Sequence, residues 1–234
     1  MTRSAQQLPM VTCIMPTFNR RRFVPQAIRY FLSQDYSEKE LLVLDDGDDS
    51  VGDLMPKDSR IRYFRLERST VLGEKRNLAC EEARGEIIAH WDDDDWMAQW
   101  RLSYQVNNLI SQSADACGLA QLLFYQPESN RAWQYYYEKG VRTWIAGGTL
   151  CYTRTFWRRN PFAKVNIGED TRFVWNDHSG KVLALEDNSF YVAMIHKRNS
   201  SPKRTSSARY CPHPAAEVTR ILGEDREFYS ALTC

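Results

Sequence analysis

The most constraining feature of this sequence is a short apolar run that ends in four consecutive aspartates, within the segment GEIIAHWDDDDW at residues 85–96. The run at residues 87–91 is bounded by polar residues and is typical of a buried strand. Four adjacent carboxylates do not suit a core, since at an effective dielectric of about 20 two like charges about 4 Å apart repel by about 4 kcal/mol. Hard divalent cations bind carboxylate oxygens and leave positions open for phosphates. These four aspartates, residues 92–95 (the acidic tetrad), therefore predict a metal and phosphate site, with a solvated acidic loop as the alternative.

Strands and helices alternate along the first half of the chain. Predicted strands lie at residues 10–15, 41–44, 61–66 and 87–91, and amphipathic helices at 22–33 and 72–84. We expect the first strand to stop at Pro16. The repeated strand–helix–strand order predicts an α/β fold with a Rossmann-like, mostly parallel central sheet and helices on both of its faces.

The pattern changes in the second half. After a predicted helix at 97–111, aromatic-rich strands are predicted at 118–125, 131–137 and 148–153, and a short helix near Phe156. A helix at 171–175, strands at 181–185 and 190–195, and one helix at 215–232 follow. We expect a single domain, with a nucleotide half at about residues 10–112, an acceptor half at about 113–206 and a C-terminal tail and helix at about 207–234.

The composition of the chain limits the partners and the cellular compartment that we expect. The 234 residues include 31 Lys and Arg against 30 Asp and Glu, so the overall charge gives no reason to expect nucleic acid as a partner. Six cysteines lack C-x-x-C spacing, which indicates a reducing compartment rather than zinc or a disulfide framework. The N-terminus lacks the apolar segment of a signal peptide, and no window approaches about 18 uninterrupted apolar residues. We therefore expect a cytoplasmic protein, in peripheral contact with the inner face of the membrane if its acceptor is bound there.

Polar residues follow three of the predicted strands. Thr17 and Asn19 follow the first strand, Asp45 and Asp46 follow the second, and the acidic tetrad follows the fourth. In a parallel sheet these carboxyl ends lie along one edge, where ligands bind in open α/β sheets. A carboxylate after the second strand, with Asp46 as the favoured candidate, could accept the imino hydrogen of a uracil or guanine ring. The alternative is an acidic turn at residues 45–49.

Two acids at the predicted start of a helix are candidates for acid–base chemistry. Glu169 and Asp170 follow a glycine, and acids at such a position commonly cap a helix. Two of them, followed by Phe173 and Trp175, also fit a carboxylate base within a sugar-binding wall. A general base must lie within hydrogen-bond reach of the hydroxyl that it deprotonates.

Basic residues provide candidates for charge neutralisation. Of the three polar residues Lys75, Arg76 and Asn77 on the helix before the acidic strand, we expect at least Lys75 to face the site, because a diphosphate beside carboxylates needs positive charge. His196 ends the last predicted strand and could complete a metal site, although a lone histidine is more often structural. The basic loop at residues 196–204, including Pro202, has the composition of a lid over phosphates, with a solvated loop as the alternative.

The ordered motifs resemble those of a known family. VTCIMPTFNR, LLVLDDGDDS, GEKRNLACEEARGEIIAHWDDDDW and GED resemble the successive motifs of family-2 inverting glycosyltransferases with the A-type nucleotide-diphospho-sugar fold. The resemblance is strong over about residues 10–100 and weaker over about 147–175. It implies a hexosyltransferase-like enzyme that uses Mn²⁺ or Mg²⁺ to move a sugar, with inversion, from a nucleoside-diphosphate donor, UDP by preference. The acceptor would be a saccharide or another hydroxyl, in polysaccharide or glycoconjugate synthesis.

The resemblance also implies roles for individual residues. Nucleotide-binding roles fall on Pro16, Thr17, Asn19, Asp46, Lys75, Asp92 and Asp93, catalytic roles on Asp170 and Glu169, and metal-binding roles on Asp94 and His196. Asp94 would be the direct metal ligand and Asp92 would lie nearer the ribose. Asp93 stands where the family usually has a small residue, so the ligand assignment is open by one position. Asp170 would be the base, with Glu169 beside it to hold the acceptor.

Two other classes of protein remain as alternatives. A nucleotidyltransferase would usually need a glycine- and lysine-rich phosphate loop after the first strand, and PTFNRRR at residues 16–22 has no glycine. A non-catalytic module that binds a sugar, a nucleotide or a partner subunit would need no base, so Asp170 would be only a helix cap.

Overall fold

The computed structural model describes residues 8–137, 142–176, 179–201 and 203–232. The elements are β1 (Val11–Thr17), α1 (Val24–Ser33), β2 (Lys39–Asp45), β3 (Ile61–Arg65), α2 (Leu72–Glu82), β4 (Ile87–His90), β5 (Trp96–Met97), α3 (Arg101–Ser111), β6 (Ala116–Leu119), β7 (Gln121–Gln126), β8 (Arg131–Tyr136), β9 (Cys151–Thr153), α4 (Arg154–Arg159), α5 (Glu169–Asn176), β10 (Val182–Leu185), β11 (Tyr191–Met194), β12 (Tyr210–His213), α6 (Ala215–Leu222) and α7 (Asp225–Ala231). Pro202 and Cys234 lie outside the described residues, as does the N-terminal stretch at residues 1–7.

Seven strands form the central sheet, in the order β10-β6-β9-β4-β1-β2-β3. Every neighbouring pair is parallel except the two that involve β9. Successive residues of β1 point to opposite faces. Cys13 and Met15 pack in one core cluster with α1 and α3, whereas Ile14 packs in a second cluster with α2, α4 and α5. The predicted α/β fold, with helices on both faces of a mostly parallel sheet, is confirmed.

A second sheet of five strands, in the order β12-β8-β7-β11-β5, was not predicted. The single strand expected at 118–125 is two strands, because the chain leaves the central sheet after Leu119 and enters the second sheet at Gln121. Apolar residues continue on both sides of this change, so periodicity gives no sign of it. The helix expected after Trp96 begins only at Arg101, since Trp96 and Met97 form β5 and pair with β11. The acidic tetrad therefore lies where the chain passes from one sheet to the other.

Two predicted ends of elements are wrong for identifiable reasons. The first strand continues through Pro16 to Thr17. Pairing between β4 and β1 reaches only Ile14, so Pro16 lies where one side of β1 is a free edge, and a strand tolerates proline there. The helix expected at 215–232 is divided into α6 and α7 at Gly223, whose φ of 54° interrupts the helical path. Among the residues that the structure describes, no helix is both long enough and apolar enough to cross a membrane.

Candidate active site

The carboxyl ends of β1, β2 and β4 meet at one edge of the central sheet, as the sequence predicts. Thr17, the last residue of β1, donates from Oγ1 to Oδ2 of Asp93 at 2.6 Å. The Lys75 ammonium donates to the Thr17 carbonyl at 3.1 Å and forms a buried ion pair with Asp46. The structure therefore brings together four predicted nucleotide-binding residues, and Lys75 neutralises Asp46 within that group.

The two acids that follow β2 have different surroundings. Asp45 is fully buried and accepts from the Gly47 amide at 2.9 Å and the Val51 amide at 3.0 Å, so it shapes the turn. Asp46 accepts from the Thr70 amide at 2.7 Å in addition to its pair with Lys75. The acidic-turn interpretation therefore fits Asp45, whereas Asp46 lies beside Thr17 at the sheet edge.

The loop after β1 is held against the loop after β2. Asn19 adopts a left-handed φ of 55°, and its Oδ1 accepts from the Asp49 amide at 3.0 Å. A Cβ atom at Gly47 would overlap the Asn19 backbone nitrogen, so glycine is required for this approach. Pro16 is half-buried in β1, two positions before the exposed Phe18. The roles of Pro16 and Asn19 toward a nucleotide stay predictions.

The members of the acidic tetrad also differ from one another. Asp95 is buried, and it accepts from the Tyr191 hydroxyl and from the Met194 amide at 2.7 Å, so it ties β5 to β11. Burial raises the pKa of Asp95 well above its usual range. Burial, together with the neighbouring Asp94 charge, raises the pKa of Asp93 to about 8. Burial also raises the pKa of Asp92, so at three positions of the tetrad the neutral form is favoured relative to a free aspartate, which reduces the repulsion.

Asp94 is the one member of the acidic tetrad whose pKa is lowered. Its Oδ2 lies 3.0 Å from Nε2 of His196 and 3.4 Å from Nη1 of Arg20. Burial opposes ionisation, but the His196 hydrogen bond and the Arg20 charge outweigh it and hold the pKa of Asp94 below its usual range. The His196 ring also stacks on Phe23, with ring centroids 4.8 Å apart. The structure thus joins the two predicted metal ligands and adds Arg20, which the sequence analysis did not single out.

The donor set at Asp94 and His196 fits a divalent cation that also binds its substrate. No group of three or more His, Cys, Asp or Glu within the described ranges is arranged to hold a metal by itself. Ions such as Mg²⁺ are often held by one or two carboxylates and complete their coordination with substrate phosphates. Nδ1 of His196 accepts from the Arg198 amide at 3.1 Å, so the neutral ring carries its proton on Nε2. For Nε2 to bind a metal, the neutral ring would have to carry its proton on Nδ1 instead, which would break the hydrogen bond from the Arg198 amide.

The predicted catalytic acids lie in the first turn of α5, not before the helix. Glu169 is buried and forms an ion pair with Arg76 of α2, whose guanidinium also lies 3.9 Å from Asp92. Burial raises the pKa of Glu169, while the charge of Arg76 acts in the opposite direction. Asp170 is half-buried and accepts from the Thr171 amide at 2.7 Å. Arg76, rather than Lys75, therefore links α5 to the acidic tetrad.

Two glycines separate the acids of α5 from the acidic tetrad. A Cβ atom at Gly147 would overlap the Asp170 carboxyl group, and one at Gly148 would overlap Oδ2 of Asp92 and the Tyr191 hydroxyl. The Asp170 carboxyl group therefore lies against Gly147, and the Asp92 carboxyl group lies against the adjacent Gly148. In the sequence, this GG pair only opens the strand predicted at residues 148–153, and no local pattern indicates a role as a spacer.

We expect Gly148→Ala to disturb this spacing. The added methyl group must displace either Asp92 or Tyr191, and overpacking of this kind typically costs about 1–3 kcal/mol of unfolding free energy. Urea unfolding measures the loss. Gly52→Ala is the control, since the nearest atom to its methyl group would be on the Tyr63 ring at 3.0 Å, and its loss should be smaller. Equal stability of Gly148→Ala and the native protein would contradict the close approach.

Similarities to known proteins agree with this geometry. Residues 12–165 match the family model described as Glycosyl transferase family 2. The GalNAc(5)-diNAcBac-PP-undecaprenol beta-1,3-glucosyltransferase of Campylobacter jejuni is 35% identical over 103 residues, which are 41% of this chain and 33% of that protein. A glycosyltransferase of Haemophilus influenzae is 30% identical over 108 residues, 44% of this chain and 43% of its own. The chain thus spans less than half the length of these relatives.

Solved structures share the fold at low sequence identity. Staphylococcus aureus TarS 1–349, in complex with UDP-GlcNAc, superposes with a TM-score of 0.61 at 18% identity, covering 91% of this chain and 65% of that one. The mannosyltransferase PcManGT from Pyrobaculum calidifontis, in complex with GDP-Man and Mn²⁺, gives 0.63 at 18% identity, covering 82% and 59%. Since the family model covers more than half of the 234 residues, the chain belongs to glycosyl transferase family 2 and has the A-type nucleotide-diphospho-sugar transferase fold.

Proposed function

We propose that the protein is a metal-dependent, inverting glycosyltransferase that moves a sugar from a nucleoside-diphosphate donor, UDP by preference, to an acceptor hydroxyl. The observation that carries this proposal is that the carboxyl groups of Asp170 and Asp92 lie against two adjacent residues, Gly147 and Gly148. This arrangement supports a base at Asp170 on one side of the glycine pair and a diphosphate site near Asp92 on the other. The structural neighbours that hold UDP-GlcNAc or GDP-Man support a nucleoside-diphosphate sugar as the donor.

In the proposed complex, the residues at the ends of β1 and β2 bind the nucleotide. Thr17 and Asp93 are already hydrogen-bonded to each other, and Asp46 is oriented by Lys75 and the Thr70 amide to accept from a base. The same site includes Pro16, Asn19 and Asp92. The buried Nη1 of Arg20 lies 3.4 Å from Asp94 but makes no hydrogen bond among the described residues, and it suits a phosphate oxygen.

Different groups stabilise the charge on the leaving diphosphate and remove the proton from the acceptor hydroxyl. A bound Mn²⁺ or Mg²⁺, held by Asp94 and His196, would supply positive charge that stabilises the leaving diphosphate. On the other side of the glycine spacer, Asp170 takes the proton from the acceptor hydroxyl. Glu169, fixed by Arg76, holds the acceptor beside it. A base on the face opposite the leaving group gives inversion at the anomeric carbon in a single displacement.

The acceptor is a saccharide or another hydroxyl compound. The acceptor named for the Campylobacter relative is a saccharide linked to undecaprenol through a diphosphate. A cytoplasmic enzyme would reach such an acceptor by peripheral contact with the inner face of the membrane. In this proposal, residues at about 10–112 bind the donor and those at about 113–206 approach the acceptor.

Removing the proposed metal ligand should abolish metal-dependent donor binding. We expect Asp94→Ala to weaken the binding of UDP in the presence of Mn²⁺ by at least about 10-fold, the loss typical when a metal site is damaged. Isothermal titration calorimetry with and without Mn²⁺ measures the effect. Asp187→Asn, at an exposed site between β10 and β11, is the control and should bind normally. Equal affinity of Asp94→Ala and the native protein in Mn²⁺ would exclude Asp94 as the ligand.

The product released when a donor is cleaved distinguishes a glycosyltransferase from a nucleotidyltransferase and from a non-catalytic module. A glycosyltransferase releases UDP from a UDP-sugar when Mn²⁺ is present, with water as acceptor if no other is supplied. A nucleotidyltransferase working in reverse would instead consume pyrophosphate, and a non-catalytic module would release nothing. Assays of UDP release from UDP-glucose, UDP-galactose and UDP-N-acetylglucosamine therefore test the proposal directly.

A further inference from the structure

His90 is a buried side chain for which the proposed mechanism has no role. It is the last residue of β4, two positions before Asp92, and is 1% exposed. Its Nδ1 lies 2.7 Å from the carbonyl oxygen of Gly147. A carbonyl can only accept, so Nδ1 carries the proton and donates it. Nε2 must then accept, and the Tyr152 hydroxyl at 3.3 Å is the donor.

The surroundings of His90 allow only this protonation state. Burial lowers the pKa of His90 well below its usual range, and the positive charge of Arg76 acts in the same direction. The ring is therefore neutral and has a single N–H. The Tyr152 hydroxyl, which donates to His90, also lies 3.3 Å from Sγ of Cys80, which can donate to it in turn. A short buried chain of donors thus directs the one N–H of His90 at Gly147.

The carbonyl that His90 holds belongs to the spacer between the acids. The neighbouring carbonyl, that of Gly148, accepts from Arg101 at 3.0 Å, and the same guanidinium nitrogen donates to the His90 carbonyl at 2.8 Å. The Gly147 carbonyl also accepts from the Leu150 amide at 3.2 Å, so His90 provides its bond from the side of β4, as Arg101 of α3 does for the Gly148 carbonyl. The Gly147 backbone lies in close contact with the Asp170 carboxyl group. A shift of the Gly147 peptide would therefore change the position that this carboxyl group can occupy.

We infer that His90 is a positioning residue for sugar transfer: by holding the Gly147 carbonyl it sets the separation of Asp170 from Asp92. The inference rests on the proposed function, in which Asp170 is the base. His90 does not touch the predicted nucleotide-binding residues at the ends of β1 and β2, so its loss should not change nucleotide binding. A misplacement of about 1 Å can lower a rate by about 100-fold, so the effect belongs to kcat.

The test compares His90→Leu with His90→Asn. Leucine removes the donor, whereas the asparagine amide places an N–H near the position of Nδ1. We expect His90→Leu to lower kcat for Mn²⁺-dependent UDP release by about 10- to 100-fold, with the calorimetric affinity for UDP and Mn²⁺ unchanged. His90→Asn should stay within about 3-fold of the native kcat, so that the conservative variant rescues the rate. The donor is whichever of UDP-glucose, UDP-galactose or UDP-N-acetylglucosamine the native protein cleaves fastest.

The outcomes separate this inference from the proposed function. Native kcat in His90→Leu, with activity lost in Asp170→Asn, would overturn the role of His90 and leave the proposed function intact. An equal loss in the leucine and asparagine variants, together with weaker UDP binding, would show a general structural role and also overturn it. Full activity in Asp170→Asn, or no cleavage of any donor by the native protein, would remove the proposed function itself. If His90→Leu does not fold, His90→Gln takes its place in the test. The longer glutamine side chain carries the amide beyond the position of Nδ1, so this variant also lacks a donor there.

Discussion

Replacing Asp170 with asparagine should lower the rate of sugar transfer by about 100- to 10,000-fold, the contribution that a positioned general base typically makes. Asparagine has nearly the same shape as aspartate and can still accept from the Thr171 amide, which in the native protein lies 2.7 Å from the Asp170 carboxyl oxygen. It cannot take a proton from an acceptor hydroxyl. We therefore expect the fold and the affinity for UDP and Mn²⁺ to be unchanged, with the loss confined to kcat. Initial rates of UDP release, measured alongside calorimetric UDP affinity, give both quantities.

The matched control for this variant is Asp187→Asn. Asp187 is exposed and makes only local hydrogen bonds in the described structure, among them one from the Ser189 amide at 2.9 Å. The same change of charge there should leave the rate within about 2-fold of native, as expected for a surface substitution. Normal turnover by Asp170→Asn would show that another group is the base. A parallel loss of UDP affinity would instead mean that Asp170 contributes to the donor site.

The part of the site that could be predicted from the sequence lies at the ends of strands. Thr17, Asp46 and the acidic tetrad each follow a recognisable strand, and parallel strands bring their carboxyl ends to one edge. That rule needs only local periodicity and strand order. It placed Asp46 and Asp93 beside Thr17 without any knowledge of side-chain contacts.

The rest depends on contacts between distant segments. The partners that distinguish Asp94 from Asp95 are His196 for the one and Tyr191 and Met194 for the other, about 100 residues along the chain. Tyr191 and Met194 lie in β11 and His196 follows it, and β11 belongs to the second sheet, which periodicity did not predict. The GG pair at 147–148 and the donor from His90 likewise have no local signal, since a buried histidine and a glycine turn are ordinary features of a sequence.

Arg76 is another residue whose surroundings depend on contacts with a distant segment of the chain. On a helix with mixed polarity, Arg76 is indistinguishable in sequence from a solvated residue, yet its side chain is 5% exposed and paired with the equally buried Glu169. We expect Arg76→Met to lower the free energy of unfolding at neutral pH by about 3–5 kcal/mol, because it leaves a buried carboxylate without its partner. Urea unfolding measures the loss. Arg84→Met, where 62% of the side chain is exposed, is the control and should cost less than about 1 kcal/mol.

The sign of the pH dependence follows from Glu169. Burial raises its pKa above the usual value of 4.5, and removing the opposing charge of Arg76 should raise it further. A carboxyl group with a raised pKa in the folded state binds its proton more tightly there than in the unfolded state. At low pH the buried carboxyl group is neutral, and burial of the neutral form is tolerated. The free energy of unfolding then falls as the pH rises from the pKa of this group in the unfolded state through its pKa in the folded state. The deficit of Arg76→Met should be smaller at pH 5 than at pH 8, and the opposite trend would contradict the pairing.

The double variant Arg76→Met with Glu169→Met then separates stability from catalysis. Replacing both members of a buried ion pair with apolar residues of similar size is often neutral or stabilising, so most of the lost unfolding free energy should return. Activity should not return, since the proposed acceptor-holding carboxylate is gone and Asp92 has lost the guanidinium 3.9 Å away. Recovery of both stability and UDP release would mean that the pair serves the fold alone. Recovery of stability without activity would show that a buried charge, costly to keep, is retained for the reaction at the neighbouring Asp170.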